Sequence, residues 1–335
     1  MSKNVAIVGA TGAVGRTMLS ILEKRAFPVA DLRLFASARS AGQMVDTTWG
    51  SVAVEDLATA DPSGVEIALF SAGAARSREF APDFVEAGAV VVDNSSAFRK
   101  VDEIPLVVAG VNDHAIARHA GIVANPNCTT MTLMMGVGPL HAAAGLRAMT
   151  AMSYQSVSGS GMAAIAELER QNRALGADPE ALMNGGWDDP GSEVYARPIA
   201  WNVLPFAGNL DEAGYTDEEW KLVNETRKIL EAPQVAVEPT CVRVPVMVGH
   251  GISASCWFDR PMAVDEAIEL ISNAPGAEVW LDKVPTPLDA AGIDEVLVGR
   301  IRPTLGEGGG INLWTVGDNL RKGAALNTIE IAEQL

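Results

Sequence analysis

Residues 5–15 read Val5-Ala6-Ile7-Val8-Gly9-Ala10-Thr11-Gly12-Ala13-Val14-Gly15, a short apolar run that leads through three glycines into a helical pattern. Glycines allow a tight turn and a close approach of the backbone to a pyrophosphate, and the start of the following helix offers N–H groups to the anion. The spacing is a variant of the usual fingerprint, so the alternative is a tight turn in an ordinary βα unit. We interpret this stretch as a Rossmann-type dinucleotide site, with expected cofactor contacts at Gly9, Thr11, Gly12, Ala13 and Val14.

The first third of the chain repeats this strand-then-helix pattern. Short apolar runs predict buried strands at 5–8, 32–35, 67–70, 90–92 and 107–108. Helical patterns lie between several of them, as at 16–24 and 77–87. Such alternation is typical of a doubly wound sheet of parallel strands, and it predicts an α/β fold for this part of the chain.

The pattern changes after residue 128 and indicates a second, α+β domain. An apolar helix is predicted at 129–144, longer strands at 147–156, 234–248 and 252–258, and a helix at 264–272. Residues 176–216 are rich in Gly, Pro, Asn and Asp, which predicts a long irregular insertion. A loop at 306–310 and a closing helix at 318–333 complete the expected organisation.

The end of the second predicted strand bears on which dinucleotide is bound. A site for NAD usually carries an acidic residue there, which binds the ribose 2′-hydroxyl. This chain instead reads Leu34-Phe35-Ala36-Ser37-Ala38-Arg39-Ser40, without a carboxylate. Ser37, Arg39 and Ser40 could hold a 2′-phosphate, with Arg39 supplying the charge, unless Arg39 is simply a solvated loop residue. The sequence therefore favours NADP.

Composition excludes several classes of partner. The 335 residues carry a net charge of −17, which argues against nucleic acid and against an anionic membrane as partners. Three widely spaced cysteines and no CxxC pair give neither a disulfide framework nor a metal site, so no metal is expected. The N-terminal residues lack the layout of a signal peptide, and a cytoplasmic protein is expected.

Cys128 is the candidate nucleophile. It follows Asn125-Pro126-Asn127 and would fall in the first turn of the apolar helix, where the helix dipole stabilises a thiolate. Such a thiolate in a dehydrogenase suits covalent aldehyde chemistry. The alternative is a small buried hydrophobic residue, which is the interpretation we prefer for Cys241 and Cys256 inside predicted strands.

Motifs along the whole chain occur in a characteristic order. They are Gly9-Ala10-Thr11-Gly12-Ala13-Val14-Gly15, Ser37-Ala38-Arg39-Ser40-Ala41-Gly42, Asp93-Asn94-Ser95-Ser96-Ala97-Phe98-Arg99, Asn125-Pro126-Asn127-Cys128, Gln155-Ser156-Val157-Ser158-Gly159, Glu218-Glu219-Trp220-Lys221, Arg243-Val244-Pro245-Val246 and Asp318-Asn319-Leu320-Arg321-Lys322-Gly323-Ala324-Ala325. Each is modest evidence alone. Together and in this order, they resemble the aspartate-semialdehyde dehydrogenase family over essentially the whole chain.

The resemblance implies an activity and an organisation. The expected enzyme reduces L-4-aspartyl phosphate to L-aspartate 4-semialdehyde with NADPH, through a thioester on Cys128, in the biosynthesis of lysine by way of diaminopimelate, and of threonine, methionine and isoleucine. A homodimer is implied, with an NADP-binding domain at 1–128 and 319–335 and a catalytic and dimerisation domain at 129–318. The resemblance gives His250 as general base and Gln155 as the residue that orients the acyl group. It also implies substrate or phosphate contacts at Arg99, Gln155, Glu218, Lys221 and Arg243, and cofactor contacts at Ser158, Gly159 and Asn319.

Several of these residues also have simpler interpretations. Glu218 and Lys221 are three apart on a predicted helix, which is common on protein surfaces. Arg243, in an apolar strand, could form an internal salt bridge rather than clamp a substrate carboxylate. If one strand ran from Arg243 to His250, the two side chains would face opposite sides. For both to reach one pocket, Pro245 or Gly249 must break the alternation.

One departure from the family pattern adjoins the expected base. The family usually follows its histidine with Ser-Glu, whereas this chain has Gly251-Ile252. Loss of that carboxylate could change how the imidazole is oriented and how basic it is.

Three rival functions share parts of this pattern. An N-acetyl-glutamyl-phosphate reductase would share the fold, the cysteine and NADP, but usually has Gly-Cys-Tyr-Pro around its cysteine, unlike Asn127-Cys128 here. An acyl-CoA reductase of similar fold fits less well with the cations Arg99 and Lys221. A catalytically silent relative would be expected to lose one of Cys128, Gln155, Arg243 and His250, and all four are present.

Overall fold

The computed structural model describes residues 2–306 and 308–335. Two compact units divide the chain. The first comprises Met1–Asn127, Arg227–Ala232 and Leu320–Leu335, and the second comprises Cys128–Thr226 and Pro233–Asn319. The predicted loop at 306–310 includes Glu307, which lies outside the described residues.

The described residues form helices and strands in both units. The helices are α1 (Ala13–Lys24), α2 (Ala74–Glu86), α3 (Cys128–Ala144), α4 (Met162–Leu175), α5 (Pro179–Asn184), α6 (Asp217–Ile229), α7 (Val264–Ser272), α8 (Pro287–Ala290) and α9 (Leu326–Ala332). The strands are β1 (Lys3–Val8), β2 (Val29–Ala36), β3 (Met44–Thr47), β4 (Gly50–Asp56), β5 (Ile67–Phe70), β6 (Val90–Asp93), β7 (Ile122–Ala124), β8 (Leu146–Gln155), β9 (Ala236–Arg243), β10 (His250–Phe258), β11 (Ala277–Trp280), β12 (Val296–Pro303) and β13 (Ile311–Gly317).

The first unit contains a mainly parallel sheet in the order β3-β4-β2-β1-β5-β6-β7. Strand β1 lies at its centre, paired in parallel with β2 on one side and β5 on the other. Val5, Ile7 and Val8 are buried, as expected for a parallel strand covered on both faces. On one face the core includes Met18 of α1 and Ile329 of α9. The predicted α/β fold with a Rossmann-type domain is confirmed.

The sequence prediction was wrong at two edges of this sheet. Residues 107–108 are not a strand, because only Leu106 bridges to Ala124, and the last strand is β7 instead. The hairpin of β3 and β4 was missed, since its half-exposed residues form no buried apolar run. The predicted closing helix consists of a π-helical turn, Arg321–Ala325, followed by α9.

The second unit is built on a mixed sheet in the order β11-β12-β13-β10-β8-β9. Helix α3 lies against this sheet and is buried on almost every side, which explains its continuous apolar sequence. A Cβ at Gly136 would lie 2.7 Å from Thr315 Cγ2, so this glycine permits the close approach of helix and strand. Within the described ranges, no helix combines the length and the apolar character needed to cross a bilayer.

The region 176–216 is irregular apart from α5, as predicted, but α4 holds part of it firmly. The buried Glu167 carboxylate accepts the backbone N–H groups of Glu193 and Val194, at 2.7 and 2.8 Å. Gln171 accepts those of Ile199 and Ala200. Two buried side chains on successive turns therefore fix a loop that also lines a cavity described below.

Candidate active site

The glycine-rich turn fits a dinucleotide pyrophosphate. Gly9 has a φ of +93°, and a Cβ there would lie 2.5 Å from the carbonyl oxygen of Ser71. Helix α1 begins after Gly12, and no side chain caps its first turn. The backbone N–H groups of Ala13 and Val14, at the start of that turn, are therefore suited to bind an anion. Replacement of Gly15 would also be blocked, because its Cβ would lie 2.3 Å from the Gly9 oxygen.

The predicted 2′-phosphate residues lie in the turn that follows β2. Ser40 N–H donates to the Ser37 carbonyl, and the Ser40 hydroxyl lies 3.4 Å from that of Thr11. Arg39 is exposed in the same turn. The structure thus brings the glycine-rich turn and the Ser37–Ser40 turn together. This arrangement fits NADP, the dinucleotide that the sequence favoured.

Arg99 lies in the first unit, after β6. Its Nη2 donates to the Asn94 carbonyl at 3.0 Å. The preceding Asp93 is buried and accepts hydrogen bonds from the hydroxyls of Ser77 and Ser95, at 2.6 and 2.7 Å. Burial raises the pKa of the Asp93 carboxyl above its usual range. Asp93 thus anchors the segment that carries Arg99.

The loop that leads to Cys128 is held by amide side chains. Asn327 Nδ2 donates to Asn125 Oδ1 at 2.5 Å, and Asn125 Nδ2 donates to Asn94 Oδ1 at 2.5 Å. Cys128 is the first residue of α3, in the first turn of the helix as the sequence predicted, and it is half-buried. A thiolate at this position lies at the positive end of the helix dipole.

We expect a thiol reagent to distinguish the three cysteines. Cys241 and Cys256 are buried, and burial raises the pKa of each thiol to about 12. Iodoacetamide at neutral pH should therefore alkylate Cys128 while the other two remain unmodified, which peptide mass spectrometry would measure. Preferential labelling of Cys241 or Cys256 in the folded protein would contradict this expectation.

Strand register places three predicted site residues side by side. Gln155 ends β8, where it pairs with His250 of the antiparallel β10 and with Arg243 of the parallel β9. On the far side of His250 the partner is Gly317. Three side chains from distant parts of the chain therefore share one end of the sheet.

The predicted conflict between Arg243 and His250 does not arise. Strand β9 ends at Arg243 and β10 begins at His250, with Gly249 between them at a φ of +92°. The expected strand at 234–248 was therefore too long. A Cβ at Gly159 would lie 3.2 Å from His250 Nε2 and 3.3 Å from Arg243 Nη1, so both side chains converge on this glycine.

The first turn of α3 approaches the same end of the sheet. Thr132, one turn after Cys128, donates its hydroxyl to the Cys128 carbonyl at 3.0 Å. A Cβ at Gly317 would lie 3.3 Å from that Thr132 hydroxyl oxygen. Since Gly317 pairs with His250, the turn that begins with Cys128 lies beside the row of Gln155, Arg243 and His250.

His250 is fully buried and uncharged near neutral pH. Its pKa is lowered to about 3, first by burial and then by the charge of Arg243, while Glu218 acts in the opposite direction. Nδ1 accepts the Ser156 backbone N–H at 3.1 Å, and Nε2 has no hydrogen-bond partner among the described residues. A buried Nε2 without a partner is suited to exchange a proton with a substrate.

Burial of His250 should make stability depend on pH. The unfolded chain binds a proton near pH 6.5, whereas the folded chain does so only near pH 3. Between these values the unfolded state holds more protons, so the free energy of unfolding should decrease as the pH is lowered from 6.5 towards 3, by up to about 1.4 kcal/mol per pH unit. Urea titrations of the wild type and His250→Gln should diverge below pH 6.5, with the wild type the steeper. Parallel pH dependences would contradict this.

Glu218 and Lys221 line a cavity rather than an open surface. Lys221 Nζ donates to Glu218 Oε2 at 2.7 Å, and Glu218 is buried. Both line a cavity of about 370 Å³ together with Arg243 and Tyr195. The cavity is lined by side chains of both charge signs, as a substrate with both an ammonium and anionic groups requires.

The departure after His250 has a structural explanation. A Cβ at Gly251 would lie 2.2 Å from the Trp314 ring, so any side chain there would collide with that ring. Ile252 is fully buried against the interior of the unit. The imidazole is held instead by Ser156, whose role the sequence did not indicate.

Ser158 and Asn319, predicted as cofactor contacts, lie next to Ser156. Asn319 Oδ1 accepts the Gly249 N–H at 2.8 Å and lies 3.1 Å from the hydroxyls of both Ser156 and Ser158. Sequence patterns give no signal for such contacts, because they join residues about 70 to 160 positions apart.

Comparisons with known proteins agree with this architecture. The family model described as semialdehyde dehydrogenase, NAD binding domain, matches residues 4–119, and the one described as semialdehyde dehydrogenase, dimerisation domain, matches 137–322. The aspartate-semialdehyde dehydrogenase of Streptomyces akiyoshiensis is 54% identical, over 98% of this chain and 97% of that protein. That of Mycolicibacterium smegmatis is 51% identical, over 99% and 98%.

A solved structure supports the same assignment. Aspartate semialdehyde dehydrogenase II from Vibrio cholerae, crystallised in complex with ASA, superposes with a TM-score of 0.93 at 43% identity, covering 99% of this chain and 98% of that one. Identity above 40% over nearly the full length accompanies the same fold. The chain therefore belongs to the aspartate-semialdehyde dehydrogenase family.

Proposed function

We propose that this protein catalyses the NADPH-dependent reductive dephosphorylation of L-4-aspartyl phosphate to L-aspartate 4-semialdehyde. One observation carries the proposal: Gln155, Arg243 and His250 form a row at one end of the sheet, beside the first turn of the helix that begins with Cys128. A nucleophile, a proton carrier and a cation for a carboxylate are the groups that this reaction requires.

Cys128 and the residues around it have distinct parts in the proposed reaction. Cys128 attacks the acyl carbon as a thiolate, the bond to phosphate breaks, and a thioester remains on its sulfur. Gln155 orients the acyl group. Arg243 binds the substrate carboxylate through its guanidinium, and Glu218 faces the ammonium. Arg99 and Lys221 supply positive charge for the phosphate.

The proton carrier is His250. NADPH, when bound, supplies the hydride that reduces the thioester. His250 Nε2, having first taken the proton of the Cys128 thiol, gives it to the oxygen of the resulting thiohemiacetal. The C–S bond then breaks, the hydroxyl proton returns to the sulfur by way of Nε2, and the semialdehyde leaves. In the oxidative direction the same steps run in reverse. The proposed cofactor residues of the two turns described above are Gly9, Thr11, Gly12, Ala13, Val14, Ser37, Arg39 and Ser40. Ser158, Gly159 and Asn319 are proposed as further cofactor contacts.

Two broader predictions accompany this function. The name of the family model that matches 137–322 supports the predicted homodimer. The cytoplasmic location and the place in the synthesis of lysine, threonine, methionine and isoleucine stay predictions.

The test is an assay of NADP⁺ reduction with L-aspartate semialdehyde, with and without inorganic phosphate. We expect turnover that depends on phosphate. Turnover with N-acetyl-glutamate semialdehyde but not with L-aspartate semialdehyde would show that the proposed substrate is wrong and that the N-acetyl-glutamyl compound is the substrate. No turnover of either aldehyde, together with measurable NADPH binding, would favour a silent relative.

A further inference from the structure

Ser156 contacts His250 in two ways that have opposite effects on the imidazole. Its backbone N–H donates to Nδ1 at 3.1 Å, and its hydroxyl oxygen lies 3.2 Å from the same nitrogen. Ser156 is fully buried, as is His250. The backbone N–H can only donate, so it favours an Nδ1 that carries a lone pair, and in a neutral imidazole the proton is then on Nε2.

That arrangement opposes the chemistry proposed for His250. A neutral histidine takes a proton at Nε2 only if its own proton is on Nδ1. An Nδ1 proton needs an acceptor. The Ser156 hydroxyl oxygen lies 3.2 Å from this nitrogen, and the Gly249 backbone also hydrogen-bonds the imidazole.

Asn319 offers an acceptor to the Ser156 hydroxyl. The orientation of its amide is fixed, because the Gly249 N–H donates to Oδ1 at 2.8 Å and a carbonyl oxygen only accepts. Ser156 Oγ lies 3.1 Å from the same oxygen and 3.2 Å from Ser158 Oγ, so its hydroxyl proton points to one of these two acceptors. The lone pairs of Ser156 Oγ then remain for His250 Nδ1. Asn319 is itself almost fully buried, which keeps this geometry away from water.

We propose that Ser156 is a positioning residue for His250, whose hydroxyl accepts the Nδ1 proton and so makes Nε2 available as the base. Asn319 acts through Ser156 by accepting its hydroxyl proton. In the oxidative step the thiohemiacetal proton moves to Nε2, and the imidazolium so formed donates from Nδ1 to Ser156 Oγ. The proton returns by the same route on reduction. This inference rests on the function proposed above for His250.

Selective ¹⁵N labelling of histidine tests the proposal without substrate. The chain has four histidines, and His250→Asn would assign the signal of interest. In the wild type we expect a ¹⁵N shift at Nδ1 that reflects partial protonation. In Ser156→Ala, where only the backbone N–H remains, Nδ1 should show the shift of an unprotonated nitrogen. Ser156→Cys keeps most of the buried volume but offers a weaker acceptor, so the ¹⁵N shift of Nδ1 should change in the same direction as in Ser156→Ala.

Kinetics provide the second measurement, with Ser255→Ala as the matched control. Ser255 is on the same strand as His250 but on its other face, where it donates to Asn312. Loss of a hydrogen bond to a charged imidazole should lower kcat for aldehyde oxidation roughly 10- to 100-fold in Ser156→Ala. The control should retain the wild-type rate.

The proposal is overturned if neither Ser156 variant changes the Nδ1 shift, or if kcat stays at the wild-type value. These outcomes differ from a failure of the proposed function, because that failure would be a wild-type protein without phosphate-dependent turnover.

Discussion

Replacing Cys128 with alanine is expected to abolish turnover, lowering kcat by at least ~10⁴-fold, because no other group can form the thioester. The side chain is half-buried at the start of a helix that the rest of the second unit encloses, so the loss of its sulfur should leave the fold intact. Steady-state NADP⁺ reduction with semialdehyde and phosphate would measure the loss, and NADPH binding should be retained.

Cys256→Ala is the control for this variant. Cys256 is fully buried on β10, so its replacement should lower stability through a small cavity and leave kcat near the wild-type value. Residual turnover in Cys128→Ala at a tenth of the wild-type rate or more would remove Cys128 from the chemistry.

Arg243→Leu is expected to lower kcat/KM for the semialdehyde by roughly 10²- to 10⁴-fold, since two charge-assisted hydrogen bonds to a carboxylate would be lost. The guanidinium now donates to the Ser156 carbonyl at 2.9 Å and lines the cavity of about 370 Å³. Its positive charge also lowers the pKa of His250, so removal should raise that pKa. Kinetics with each substrate varied in turn would measure the loss of kcat/KM, and the pH dependence of the rate would measure the change in the pKa.

The matched control for Arg243→Leu is Arg302→Leu. Arg302 is exposed and lines a different cavity, with Pro285 and Trp314. It should have wild-type kinetics. If Arg243→Leu changed KM for phosphate but not kcat/KM for the semialdehyde, Arg243 would be a phosphate ligand and the carboxylate assignment would be wrong.

The sequence predicts those parts of the fold that local chemistry determines. Residues 5–15 specify a strand, a turn and a helix because Gly9 needs a positive φ and Gly15 lies against the Gly9 oxygen. The apolar pattern of 129–144 likewise specifies α3, since a helix that is buried on all sides must be apolar on all sides. Both features were predicted from their own residues alone.

The arrangement of the site depends on contacts that no local pattern contains. Gln155 and His250 are neighbours only because β8 and β10 pair in one particular register, and the break between Arg243 and His250 depends on where β9 ends. The partners of Ser156 and Asn319 lie far along the chain. Local patterns predicted Cys128 and the residues of the two cofactor turns, and the resemblance to a family supplied the roles of Gln155, Arg243 and His250. The hydrogen bonds that hold these residues required the structure.

The thioester on Cys128 is the central claim, and a single-turnover experiment without phosphate tests it most directly. Enzyme, NADP⁺ and L-aspartate semialdehyde would be mixed, and NADPH formation and the mass of the Cys128 peptide would be followed. We predict a burst of about one NADPH per active site, an acyl group on Cys128, and renewed turnover when phosphate is added. Sustained turnover without phosphate, or a burst that leaves Cys128 unmodified, would contradict the account.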